Sequence, residues 1–380
     1  MWRCAVTTAQ IKAGDGEPGP GSGPRSAADS IGSKSPIAAL DLGTNNCRLL
    51  VARPEGESFV VVDAFSRSVR LGEGVEHSNQ LGVAAQARAL KALHICASKI
   101  RQHGVTDVRI IATEACRRAV NGAGFVRRVA REVGLQMEII SAEEEARLAV
   151  AGCAPLVDPA AEHLLVFDIG GGSTELIWVD MSRTPPSRRV SLIRALAPTN
   201  RPNPESADAR AAAAHITDWI SVPLGVSTLH ERFALADNDT ERFAAMSRHF
   251  EDQLAPFIPF RSVDRAAMTE HLQIIGVSGT ATTFGAMHLE LRNYDRSKVD
   301  GLWLPTKSAA VVAEGLLSPG HAAVANAVVG AGRSDLLLSG AAILMTILRS
   351  WPVERMRVAD RGLREGMLYG LLEQRRIAAQ

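Results

Sequence analysis

The sequence predicts an α/β protein built of two duplicated domains with a cleft between them, on three observations. The stretch Ile37-Ala-Ala-Leu-Asp41-Leu-Gly43-Thr44-Asn45-Asn46-Cys47-Arg48-Leu-Leu-Val51 recurs as Leu165-Val-Phe-Asp168-Ile-Gly170-Gly171-Gly172-Ser173-Thr174-Glu175-Leu-Ile-Trp-Val179. Apolar runs of strand length alternate with amphipathic stretches of helical period in both halves. A chain of 380 residues, 46% hydrophobic and 22% charged, has the length of two or three domains and an ordinary globular composition.

Residues 1–35 are rich in Gly, Pro, Ser and Ala without an apolar h-region, which predicts a disordered tail and not a signal peptide. The first domain is expected over 36–152. It opens with strands at 37–42, 47–53 and 59–64, a meander interrupted by Pro54-Glu-Gly56. A helix follows at 82–103, with Leu90, Leu93, Ala97 and Ile100 on one face. Then come a strand at 108–112, a helix at 122–133, a strand at 137–140 and a helix at 142–151. The second domain, 153–360, opens with the repeated hairpin at 164–179. Strands are expected at 219–223, 272–277 and 356–359. Helices are expected at 226–234, 239–254, 280–291, 308–317 and 334–349, and a last helix over 361–376 is expected to pack back on the first domain. The polar, Pro-studded stretch from Arg183 to Asp208 reads as a loop or lid.

Composition excludes several classes. A net charge of +1 and 4% aromatic residues fit neither a nucleic-acid groove nor a base-stacking platform. No stretch approaches the ~18 consecutive apolar residues that span a bilayer, so no membrane role is expected. The five Cys are odd in number and form no Cys-x-x-Cys pair, and the ten His show no metal-ligand spacing, so neither zinc nor a disulfide frame is indicated and the cytoplasm is the expected compartment. Only six of the 42 Lys and Arg are Lys. Guanidinium forks suit oxyanions, although base composition of the genome explains the bias equally well.

The repeated hairpins carry the chemistry. Each turn can present backbone N–H groups and small hydroxyls to an anion, and the Asp closing each first strand is a hard oxygen ligand suited to Mg²⁺ or to an attacking water. Two such hairpins facing each other make a phosphate cleft. A third Gly-rich turn, Gly276-Val-Ser278-Gly279-Thr280, joins a strand to a helix and offers a further anion site. It is not a Walker loop, since no Lys follows a Gly in this chain. Between the repeats lies Ser141-Ala-Glu143-Glu144-Glu145-Ala-Arg147. Ser141 and Glu144 have capping-box spacing, and the three carboxylates complement a helix dipole. Glu145 lies a quarter turn further round and has a second reading, as a base that takes a proton from water. Periodicity leaves both open. Arg117 and Arg118 follow the strand 108–112, where they are either a phosphate clamp or a solvated helix start. Arg127, Arg128 and Arg131 read as the wet face of their helix.

These motifs resemble the exopolyphosphatase and guanosine pentaphosphate phosphohydrolase family, within the actin-like, sugar-kinase and heat-shock-ATPase superfold. The resemblance runs from about residue 36 to 375 on Asp41-Leu-Gly-Thr-Asn-Asn, Ala112-Thr-Glu-Ala-Cys-Arg117, Ile140-Ser-Ala-Glu-Glu-Glu145-Ala-Arg, Asp168-Ile-Gly-Gly-Gly-Ser-Thr-Glu175, Ser278-Gly-Thr and Leu363-Arg-Glu-Gly366. It implies two duplicated ribonuclease-H-like domains and Mg²⁺-dependent hydrolysis of a terminal phosphoanhydride bond. The substrate it implies is inorganic polyphosphate or guanosine pentaphosphate, the latter yielding the tetraphosphate, and a homodimer is among the assemblies it allows. By resemblance Glu145 is the catalytic base, and Asp168 and Asp41 contact the metal. The phosphate-binding set it implies is Gly43, Thr44, Asn45, Asn46, Arg117, Gly170, Gly171, Gly172, Ser173, Thr174, Glu175, Ser278, Gly279 and Thr280. Two features depart from the pattern: Ala115-Cys116 in the second motif, and Arg361 before the last one, where it is expected to alter the substrate channel. No His is followed by Asp, as in the extra domain of longer members, so the chain reads as the short form. An actin-like kinase and a non-catalytic sensor are the rival readings from other classes.

Overall fold

The computed structural model describes residues 35–197, 212, 215–234, 238–261, 269–318 and 334–379. The expected tail, 1–34, and the end of the expected lid, 198–208, lie outside the described residues. The first sheet begins with β1 (Ile37–Leu42), β2 (Asn46–Glu55) and β3 (Ser58–Ser68), an antiparallel meander. Pro54 does not interrupt β2 as expected. It lies beyond the end of β1, whose ladder stops at Ala52, so its missing N–H removes no bond on that side. The turn falls instead at Gly56, whose φ of 60° few other residues tolerate.

The chain continues through α1 (Val83–Gln102), β4 (Asp107–Ala112), the short α2 (Glu114–Arg118), α3 (Gly122–Val133) and the two-residue β5 (Glu138–Ile139). β4 runs parallel to β1, giving the order β3-β2-β1-β4-β5. α2 answers to the helix start that was one of the two readings of Arg117 and Arg118, although five residues are too few to show a period.

α4 (Ala142–Gly152) leads to the second sheet. Its elements are β6 (His163–Ile169), β7 (Thr174–Asp180), α5 (Pro186–Ala195), β8 (Ile216–Val222), α6 (Val226–Arg232), α7 (Asp239–Gln253), β9 (Leu272–Val277), α8 (Ser278–His288), β10 (Trp303–Pro305), α9 (Thr306–Leu316), α10 (Ser334–Ser350), β11 (Arg355–Ala359) and α11 (Leu363–Ala378). The order β10-β11-β9-β6-β7-β8 repeats the first sheet with β10 added at the edge. β6–β7 is antiparallel and β6–β9 parallel, as in the first copy. α5 occupies the stretch expected to be loop or lid. Pro186 sits in the first turn, where its missing N–H is tolerated, and Arg189 and Ile193 are its buried face.

α4 and α11 lie between the two sheets and face both. Ala146 and Val150 of α4 join the core over β6 and β7, whereas Leu148 joins Met367, Leu368 and Leu371 of α11 under β1 and β2. The C-terminal helix therefore does lie against the first sheet. The two helices cross on glycines. A Cβ at Gly366 would meet the Leu148 carbonyl oxygen at 2.0 Å, and one at Gly152 would meet the Gly362 oxygen at 1.9 Å. The remaining faces are closed by α1 and α3 on the first sheet and by α7, α8 and α10 on the second. The cysteines at 47, 96, 116 and 153 are buried free thiols. No helix among the described residues is long and apolar enough to cross a membrane.

Candidate active site

The two hairpin turns meet at the cleft, with equivalent geometry. Gly43 N–H donates to the Asn46 carbonyl at 2.9 Å and Gly170 N–H to that of Ser173 at 3.0 Å. Asp41 stands opposite Arg48 in the β1–β2 register, and Asp168 stands opposite Glu175 in β6–β7. The four side chains occupy matching positions of two copies, and one partner has reversed its charge.

The glycines of the second turn permit close approach of the domains. None of Gly43, Gly170, Gly171, Gly172 or Gly279 has positive φ. A Cβ on Gly171 would lie 2.4 Å from Asn45 Nδ2, and one on Gly172 would lie 3.1 Å from Thr44 Oγ1. The first turn of α6 accounts for the carbonyls: Val226 N–H donates to Gly170 and Ser227 N–H to Gly171, each at 2.9 Å. Asn45 closes the contact by donating to Ser227 Oγ at 3.0 Å. Glu76 ties the domains a second time, accepting from Arg118 at 2.6 Å and from Arg232 at 3.0 Å. Beside these ties lies a cavity of about 240 Å³, lined among others by Thr44, Glu114, Arg118, Gly172 and Ser227.

Glu145 enters from α4. Ser141 Oγ accepts the Glu144 N–H at 3.1 Å, which is the expected cap. The Glu144 carboxylate does not return to the cap; it pairs with the buried Arg109. Glu145 turns inward. Its Oε2 accepts from Arg117 Nη1 at 2.8 Å, and Arg117 also binds Glu114 and the Ile140 carbonyl, each at 3.0 Å. In this state Arg117 holds the candidate base and offers no open fork. Arg127, Arg128 and Arg131 lie on the outer face of α3, where Arg128 pairs with Glu132.

Electrostatics link the carboxylates across the cleft. Burial, then repulsion from Glu175, holds Glu145 well above the usual carboxylate range, against the pull of Arg117. Burial and then Asp168 raise Glu175 to about 7, while hydrogen bonds from Ser173 and Ser221 oppose the shift. Burial raises Asp41 to about 6, offset by Arg48 and Arg364. Asp168 is raised by burial and eased by Arg48 and by a hydrogen bond from Ser278. Repulsion among buried anions with too little compensation is characteristic of functional sites.

Asp41 Oδ1 is buried with no hydrogen-bond partner among the described residues. Among those residues no group of three or more His, Cys, Asp or Glu converges into a metal cage. That donor set fits Mg²⁺, which is held by one or two carboxylates and completes its shell with water and substrate phosphates.

Some expected residues serve elsewhere. The Thr174 hydroxyl donates to the Leu224 carbonyl at 2.7 Å and is fully buried, so it turns away from the cleft. Thr280 packs against Gly340 of α10. Glu175 is a carboxylate among carboxylates, which a phosphate oxygen would repel. Arg361 binds Asp300 through Nε and Nη2, so its fork is already occupied. Ser278, by contrast, begins α8 at φ 74°, an uncommon conformation for a residue with a Cβ. Two residues were missed. Arg48 was legible as the partner opposite Asp41 in the hairpin register, but Arg364 reaches Asp41 only through the tertiary fold.

This geometry has relatives. The Ppx/GppA phosphatase family model matches residues 50–375. The Aquifex aeolicus Ppx/GppA family member is 25% identical with a TM-score of 0.67, over 90% of this chain and 98% of that one. An exopolyphosphatase-like protein is 25% identical with a TM-score of 0.74, over 91% and 99%. An exopolyphosphatase from Cytophaga hutchinsonii, 22% identical over 89% and 98% with a TM-score of 0.72, shares the fold. With two sheets of matching strand order, the repeated Asp-Gly hairpins and a family match over most of its length, this chain belongs to the Ppx/GppA phosphatase family.

Proposed function

We propose that this protein is an exopolyphosphatase, which hydrolyses the terminal phosphoanhydride bond of linear inorganic polyphosphate and releases orthophosphate. What supports this reading is the convergence of Glu145, a half-buried carboxylate held well above the usual range, with two Gly-rich turns and the aspartates Asp41 and Asp168 in one cleft. The N–H groups of Gly171 and Gly172, with Arg48 and Arg364, would take oxygens of the terminal phosphate. Glu145, fixed in orientation by Arg117, would accept the proton of the attacking water; a basic carboxylate is the better proton acceptor near neutral pH. Asp41 and Asp168 would hold Mg²⁺, which when bound neutralises charge on the phosphoryl group being transferred. The retained base speaks against a pure sensor. The deciding test is phosphate release from long-chain polyphosphate and guanosine pentaphosphate side by side, with and without Mg²⁺. Preferred turnover of polyphosphate, strongly inhibitory toward alarmone hydrolysis, is expected; the reverse ranking would move this protein to the alarmone side of its family.

A further inference from the structure

The edge of the second sheet carries a basic cluster that the cleft does not use. β10 and β11 pair antiparallel, with Trp303 opposite Arg357 and Pro305 opposite Arg355. Both guanidinium carbons lie over the Trp303 indole, at 4.3 Å from its centroid for Arg355 and 4.7 Å for Arg357. Among the described residues neither arginine has a carboxylate in ion-pair range; Asp158 and Asp300 act on Arg357 only from a distance, and Asp300 is paired with Arg361. Arg357 Nε is buried without a hydrogen-bond partner, while Arg355 is exposed. Two like charges on one ring repel, and an anion shared between them removes that cost.

β11 runs parallel to β9, and β9 to β6, so all three end at the cleft, where Ser278 and Gly170 follow. Arg355 therefore lies at the far end of the strand that delivers Arg364 to Asp41. Arg361 lies six positions after Arg355, at most about 20 Å of extended chain. A short anion seated in the cleft does not cover that distance, whereas a long linear polyanion does. The indole is already engaged by two guanidiniums, which disfavours stacking of a nucleobase.

We propose that Arg355, Arg357 and Trp303 form an anion-binding strip that grips a distal segment of a long inorganic polyphosphate whose end occupies the cleft. The strip rests on the polyphosphate reading above and adds a second point of attachment, raising affinity through effective concentration. The test uses the full chain and two double variants, Arg355→Gln with Arg357→Gln and Arg355→Lys with Arg357→Lys. Direct titration with long-chain polyphosphate at about 50 and 200 mM salt gives affinity and its salt dependence. The Gln pair should bind about tenfold more weakly, with a log–log salt slope shallower by roughly 1 to 1.5, and the Lys pair should keep most of that slope. KM and kcat for tripolyphosphate should not change. Unchanged long-chain affinity in the Gln pair would overturn the strip. So would a parallel loss on tripolyphosphate, which marks a structural role, or equally tight, equally Arg-dependent binding of single-stranded RNA. If the wild-type protein hydrolyses no polyphosphate, the proposed activity falls, yet the binding titration still decides the strip.

Discussion

Replacing Gly366 with Ala should disable this protein without touching a cleft residue. The added Cβ would meet the Leu148 carbonyl oxygen at 2.0 Å and the Leu148 Cα at 3.0 Å, where ordinary contact begins at 3.4 Å. The obstacle is backbone, so no rotamer change relieves it. α4 and α11 must separate by 3.4 − 2.0, about 1.4 Å, or tilt by an equivalent amount. Overpacking of this kind costs about 1–3 kcal/mol, set against a gain of up to ~1 kcal/mol from Ala propensity in a helix. Catalysis should suffer more than stability. Glu145 lies three residues before Leu148 on α4, about 4.5 Å along the axis, so it moves with the displaced backbone. A misplacement near 1 Å costs on the order of 10² in turnover. Thermal melting and phosphate release from polyphosphate measure the two effects. Gly315→Ala, in α9 with nothing within 4 Å of the new methyl, is the control and should be neutral or slightly stabilising. A Gly366→Ala protein with wild-type melting temperature and turnover would refute the glycine crossing.

Glu145→Gln keeps volume but removes the proton acceptor, so kcat should fall by ~10²–10⁴ with substrate affinity retained, whereas Glu144→Gln should keep most activity because its side chain serves only Arg109; exchange of the two phenotypes in phosphate-release kinetics would sink the base assignment. Gly171→Val should abolish binding in a polyphosphate titration, since its branched side chain would occupy the place of the Asn45 amide 2.4 Å away. The buried carboxylates set the pH response of the metal-free protein. Glu175 at about 7 and Asp41 at about 6 bind protons more tightly folded than unfolded, so their stability contribution is full below the ordinary carboxylate range and lost as pH rises through those values. Melting temperature should therefore fall between about pH 5 and 8, less steeply in Glu175→Gln, and Mg²⁺ added at pH 8 should restore part of it by binding the folded state.

The duplicated hairpins were legible because a strand-ending Asp followed by a Gly-rich turn forces a short hairpin, and two matched copies restrict where the second must lie. The Ser141 cap was legible for the same local reason. Its partner was not: periodicity brings Glu144 near the helix start but cannot reveal a buried Arg109 beneath it. Prolines hid α5, since Pro185-Pro186 reads as a break until one sees that the second opens a helix. The hydroxyls of Thr174 and Thr280 looked like phosphate ligands in a string, yet strand alternation and helix phase turn both into their own domain. Arg364 belongs to a helix more than three hundred residues from Asp41, and no local signal joins them.

The pairing of Asp41 with Arg48 and of Asp168 with Glu175 has a consequence for how an anion lies in the cleft. Two hairpins with identical side chains would offer the substrate two equivalent walls. One exchange of Arg for Glu removes that degeneracy, leaving a cationic wall on the first hairpin and a proton-holding, anionic wall on the second. The cleft acquires a gradient. If the substrate is the linear polyphosphate proposed above, its terminal phosphate, which carries the extra charge, would be drawn toward Arg48 while its interior phosphates trail outward, and the cleft would distinguish the tip of a polyanion from its middle.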